Sequence, residues 1–128
     1  MLSEQKVREN NLRWLDTCNT KDMNAIASLA DEWLTPNYSF HYPNVGTLGR
    51  EGLLEFLRRL FNDMPDLRFN APDDVIVQGD KVAVRRSLSR TDPASGKRQT
   101  CVGMYVCHYS GEKITEAWEV ASPWQDEA

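Results

Sequence analysis

Residues 81–121 read KVAVRRSLSRTDPASGKRQTCVGMYVCHYSGEKITEAWEVA, and the fold is decided in this stretch. Lys81 to Arg90, Arg98 to Tyr109 and Lys113 to Ala121 alternate as strands do, and turn residues separate them at Asp92 to Gly96 and at Ser110-Gly111-Glu112. A reversal as short as Ser110-Gly111-Glu112 makes the strands on either side antiparallel neighbours. Upstream, Leu67 to Val77 reads as extended with an interruption at Pro72, and Gly79-Asp80 as a hairpin turn. The second half is therefore predicted to be strand and turn throughout.

The first half is predicted to be helical. Val7, Asn11, Trp14, Leu15 and Cys18 recur at helical spacing after a plausible Ser3 cap, which predicts a helix to about Thr20. Asp22 caps a second, lined by Ile26, Leu29 and Trp33 and stopped at Thr35-Pro36, because the residue before proline is pushed out of the helical region. From Asn37 to Pro43 a short strand puts Tyr38, Phe40 and Tyr42 on one face and Ser39, His41 and Pro43 on the other. Gly46 and Gly49 break the chain before a third helix from Arg50 to Asp63. Helices first and a meander second is an α+β order, with helices covering one face of a single curved sheet. Such a cone, open at its wide end, has room for a pocket.

The 128 residues carry a net charge of −4, a pI near 5.1 and 41% apolar residues, which suits one domain over residues 1–128. A separate cofactor domain is not expected. An acidic balance lacks the Lys and Arg excess that duplex nucleic acid requires, so no nucleic-acid partner is expected. No apolar stretch approaches the roughly 18 residues of a membrane span, and the expected setting is soluble and cytoplasmic. The three cysteines, Cys18, Cys101 and Cys107, lack Cys-x-x-Cys spacing and read as small buried hydrophobes in a reducing compartment. Two distant histidines without a ligand-spaced cluster argue against a metal. There is no Gly-x-Gly-x-x-Gly, no phosphate loop and no Gly-x-Ser-x-Gly elbow.

Several segments carry a resemblance: Tyr38-Ser39-Phe40-His41 followed by a glycine-led helix, Pro65-Asp66-Leu67-Arg68, Gly79 to Arg85, and Lys113-Ile114-Thr115-Glu116-Ala117-Trp118. Over about residues 5 to 122 the chain resembles the SnoaL-like polyketide cyclase family of the nuclear-transport-factor-2-like superfold. The resemblance implies a cone-shaped α+β fold with an acid/base site that uses neither metal nor cofactor and acts on a small, largely apolar molecule. It also implies that a carboxylate on the last strand takes a proton from carbon beside a carbonyl. Matched by its Lys-Ile start, that carboxylate is Glu119, a Glu where the family usually has Asp. Tyr105 falls where some cyclases carry a pocket histidine, and Gly103 where they carry a polar side chain.

Alternation on the last strand leaves the face of Glu119 open. Bulky Trp118 and Val120 would mark the other face as buried and favour Glu116, whereas Ala117 and Ala121 around Glu119 suit a face that makes room for a ligand. A subunit interface burying the Trp118 face, and hence a homodimer, reconciles the two. A glutamate acting as base at neutral pH must be lifted from about 4.3 toward 6 or 7, which an apolar cone would do by desolvation. The developing oxyanion needs a donor: Tyr105 is the best placed, with His41, Tyr38 and Tyr42 as further candidates. Trp14, Trp33, Phe40, Phe56 and Phe61 are candidate apolar walls. Arg85 and Arg86 point to opposite faces and alternation does not choose between them; Arg85 matches a position the family often fills with Arg. Asp66 reads as a turn or cap residue, and His108 points away from Tyr105.

The expected activity is cyclisation or isomerisation of a small hydrophobic carbonyl compound. The same pocket also suits a dehydratase or epoxide-opening enzyme with Glu119 as general acid. The opposing class is a dimeric module that binds a ligand without chemistry.

Overall fold

The chain begins its first helix where Ser3 accepts a hydrogen bond from the Lys6 N–H, one of the donors a helix start leaves open. A computed structural model describes residues 2–127. Helix α1 (Glu4–Thr20) ends where Lys21 turns left-handed, and Asp22 caps α2 (Met23–Trp33) through the N–H groups of Asn24 and Ala25. The second helix stops before Thr35-Pro36, because Leu34 is already extended and opens β1 (Leu34–Tyr42). Then follow β2 (Gly46–Leu48), where the glycines predicted only a break, and α3 (Arg50–Asp63). The extended segment around Pro72 is two strands, β3 (Arg68–Phe69) and β4 (Asp74–Gln78). The meander is β5 (Lys81–Thr91), β6 (Arg98–Ser110) and β7 (Lys113–Ala121), followed by a short β8 (Gln125–Asp126) that the pattern did not predict. Gly79 and Gly111 hold the β4–β5 and β6–β7 turns at φ +61° and +65°, a region most side chains avoid.

The strands form one sheet in the order β2-β1-β7-β6-β5-β3, with β4 also on β5 and β8 also on β6. Every pairing is antiparallel except β1 with β7, which run parallel. This is the expected mainly antiparallel α+β fold. The β1–β7 ladder is irregular between Leu34 and Ser39, the segment containing Pro36, which has no N–H to give.

Helices cover one face of the sheet. Leu15 and Cys18 of α1, Ile26 and Ala30 of α2, and Leu53, Leu57 and Phe61 of α3 share one core with Phe40, Leu88 and Cys107 of the strands. Each fully buried aliphatic side chain here contributes about 1.5–3 kcal/mol. The opposite, outer face is apolar too: Ile76, Val102, Met104, Val106, Trp118 and Val120 are all exposed, Val120 at 54%. That settles the conflict on β7. Alternation holds, but with apolar side chains on both faces bulk does not mark the inner one: Trp118 and Val120 point outward while Ala117 and Glu119 point to the helices. Among the described residues no helix is long and apolar enough to cross a membrane.

Candidate active site

Between the helices and the inner sheet face lies a cavity of about 250 Å³. Trp14 of α1, Trp33 of α2, Phe56 of α3, and Tyr38, Phe40 and Tyr42 of β1 form much of its wall. The polar groups on that wall include Asn11, Arg86, Tyr105 and Glu119. Strand register brings the last three together: Tyr105 pairs with Glu119, and Arg86 pairs with Gly103, which pairs in turn with Ala121. Small residues keep the space in front of Glu119 open. Ala117 and Ala121 flank it and line the cavity with it.

The centre of the site is an ion pair. Arg86 Nη2 donates to Glu119 Oε1 at 3.0 Å, with side chains 7% and 16% exposed. The guanidinium also lies 4.9 Å from the Tyr105 ring centroid and 5.4 Å from that of Phe69. Burial works against the Arg86 charge, but Glu119 leads a set of neighbours that raises its pKa above the usual arginine value. Burial raises the Tyr38 and Tyr105 hydroxyls well above the usual tyrosine range, so both remain O–H donors. The Asn11 amide nitrogen donates to the Tyr105 hydroxyl. Asn11 Oδ1 and Arg86 Nε have no partner among the described residues, and each such buried group costs about 1–3 kcal/mol. The cysteines are unreactive in this setting: burial pushes the Cys18 and Cys107 thiols up to about 12 and raises Cys101 as well.

Of the residues singled out in the sequence, the cavity brings together Glu119, Tyr105, Trp14, Tyr38, Phe40 and Tyr42. Four others are corrected. Arg85 is half exposed and bonds to Asp74 at 2.7 Å; the arginine of the cavity is Arg86, which shares strand parity with Val82, Val84 and Leu88. His41 and Glu116 do not line the cavity. His41 Nε2 lies 2.7 Å from Glu116 Oε2 and Nδ1 lies 2.9 Å from Thr47 Oγ1, while its ring stacks on outward-facing Trp118 at 5.2 Å. The cause is the two-residue period of β1: if Phe40 and Tyr42 face in, His41 faces out. His108, against the same Trp118 at 4.8 Å, also points away from Tyr105. Phe61 packs edge-on against Phe69 in the core and does not line the cavity. Asp66 is a turn residue held by Thr91 and Arg98.

Sequence reasoning did not place Asn11, Arg86 or Trp124 on the cavity wall, where the structure has them. Asn11 was visible as the one polar member of an apolar helical stripe. Alternation puts Arg85 and Arg86 on opposite faces but does not say which face meets the helices; the structure gives that place to Arg86. Trp124 gave no such signal: it follows the last predicted strand and is held by Arg90, 4.4 Å from its ring centroid. No group of three or more potential metal ligands occurs among the described residues.

Residues 12–117 match the family described as SnoaL-like domain. In structure the chain is similar to a SnoaL-like polyketide cyclase of Agrobacterium tumefaciens C58, at 20% identity and a TM-score of 0.73 over 95% of this chain and 93% of that one. It is similar to TsrD of Streptomyces laurentii at 25% identity and a TM-score of 0.75, covering 95% and 92%. It is also similar to TerC, co-crystallised with polyporic acid, at 23% identity and a TM-score of 0.72, covering 89% of each chain. No curated protein matches the chain.

Proposed function

The chain belongs to the SnoaL-like domain family, and from that premise we propose that it is an acid/base cyclase or isomerase, independent of any cofactor, acting on a small hydrophobic carbonyl compound of polyketide or terpenoid type. One observation carries this reading: the Glu119–Arg86 pair faces an apolar-walled cavity beside the Tyr105 hydroxyl. Membership of the family, and the similarity to a polyketide cyclase and to a protein crystallised with a small organic acid, support it.

In the proposed step the Glu119 carboxylate takes a proton from the carbon beside the carbonyl. The C–H electron pair becomes a carbon–carbon double bond, and the carbonyl π pair moves to oxygen. Arg86 and Tyr105 donate to that oxygen. Because the proton neutralises Glu119 as the negative charge appears on the substrate, Arg86 exchanges one anionic partner for another and the charge of the site is conserved. An unpaired base in an apolar cone, as the sequence suggested, is thus replaced by a base whose counter-ion serves the product. In cyclisation the enolate carbon then attacks a second carbonyl, whose π pair moves to its own oxygen, and that oxygen takes the proton held by Glu119; in isomerisation Glu119 returns its proton at another carbon. Proton transfer by a placed side chain contributes about 10²- to 10⁴-fold, and each oxyanion donor about 10²- to 10³-fold.

The same reading takes the protein as a homodimer joined through the outer sheet face, since monomers rarely leave so contiguous an apolar patch in water. Three free thiols favour a reducing, cytoplasmic setting.

The test uses 2-tetralone in D₂O. Wild-type protein is expected to speed deuterium entry beside the carbonyl, and Glu119→Gln to bind the ketone as before but lose that acceleration. Equal acceleration by both proteins overturns the assignment of Glu119.

A further inference from the structure

Two of the three buried side-chain atoms that lack partners among the described residues belong to the cavity wall: Arg86 Nε and Asn11 Oδ1; Thr35 Oγ1 does not. The two are chemically opposite, one a donor and one an acceptor. Both residues are tied to Tyr105, Asn11 through its amide nitrogen to the hydroxyl and Arg86 through its guanidinium, 4.9 Å from the ring centroid. Having accepted from Asn11, that hydroxyl still has its own hydrogen to give. The wall around Tyr105 therefore holds unmet donors and an unmet acceptor; Arg86 Nε and Asn11 Oδ1 are shielded from water, in residues 6% and 7% exposed, and a small turn of either side chain is what brings its atom to a ligand.

We propose that the cavity selects carbonyl compounds that also carry a hydroxyl or N–H group, and that Asn11 is the residue that selects for it. This rests on the reading of the cavity as a carbonyl-compound site and names the substrate class more narrowly. The carbonyl oxygen accepts from Arg86 Nε–H and Tyr105 O–H; the ligand's donor meets Asn11 Oδ1. A compound without the donor leaves Asn11 Oδ1 buried and unmet. Sites built to bond a substrate hydroxyl reject analogues lacking it far more strongly than apolar pockets reject a missing methylene.

The test measures binding of 5-, 6- and 7-hydroxy-1-tetralone, their O-methyl ethers and 1-tetralone to wild-type protein and to Asn11→Leu by titration calorimetry. At least one phenol is expected to bind wild-type protein about tenfold or more tightly than its ether and than 1-tetralone, the effect of one well-made hydrogen bond. In Asn11→Leu that phenol and its ether are expected to bind alike. Phenols and ethers binding wild-type protein equally across the panel overturn the proposal, and this comparison needs no variant, so it decides even if Asn11→Leu does not fold. A phenol preference that survives in Asn11→Leu overturns the role of Asn11. Either failure leaves the Glu119 exchange result intact, whereas equal exchange by wild-type and Glu119→Gln removes the catalytic reading without touching the binding preference.

Discussion

Glu119 and Arg86, on strands separated by β6, meet at 3.0 Å with little water around either side chain. Each charge is balanced chiefly by the other. Breaking a buried pair by removing one member strands the remaining charge and typically costs about 3–5 kcal/mol, whereas removing both is far cheaper. Arg86→Met is accordingly expected to lose about 3–5 kcal/mol of stability, and Arg86→Met/Glu119→Leu clearly less than the sum of its single changes. A double-mutant cycle by urea denaturation reads this directly; additive losses would show that the pair does not couple.

Tyr105 and His41 separate the inner from the outer face. Tyr105→Phe removes one proposed oxyanion donor and is expected to slow ketone deuteration about 10²- to 10³-fold. His41→Asn, on the far side of the sheet, is expected to leave the rate unchanged. Proton NMR of 2-tetralone in D₂O compares them.

The thiols give a test of the core. With Cys18 and Cys107 pushed up to about 12, little thiolate exists at pH 8. Native protein is expected to react with Ellman's reagent at these cysteines at least about 100-fold more slowly than protein in 6 M guanidinium, where all three thiols should titrate promptly.

Asp66 sets part of the acid limit. Hydrogen bonds from the Thr91 hydroxyl and N–H, with Arg98 alongside, hold its carboxyl below the usual aspartate range. A carboxyl lowered in the folded state stabilises above its unfolded value of about 3.9 and loses that contribution as pH falls through the folded value. The gap in urea midpoint between wild type and Asp66→Asn is therefore expected to be constant from pH 7 to about 5 and to close below about 4.

The outer sheet face predicts the assembly. Val120, 54% exposed, is free of the inner core, so Val120→Glu is expected to fold. It is expected to run as a monomer in light scattering coupled to size exclusion, where the wild-type protein is expected to run as a dimer.

Much of this was readable in the residues. Helix caps at Ser3 and Asp22, the glycine turns and the alternation of the late strands are local signals, and local signals survive folding. The inward placement of Glu119 and of Arg86 was harder because it depends on which face of the sheet meets the helices. Side-chain size labels that face only when the other side is polar; here Trp118, Val120 and Met104 make the outer side greasy as well. Asn11 and Tyr105 lie far apart in the chain, and no pattern in either segment announces the other. His41 was misjudged for the opposite reason: its residue type suggested chemistry while its own strand parity pointed away from the cavity.

The central claim is geometric, and a crystal structure of the protein with 2-tetralone bound examines it most directly. The ketone oxygen is expected within about 3.2 Å of Arg86 or Tyr105 donors, with an adjacent carbon about 3.5 Å from a Glu119 oxygen. A ketone seated against Trp118 on the outer face, or held in the cavity with its oxygen turned from Arg86 and Tyr105, would contradict the account.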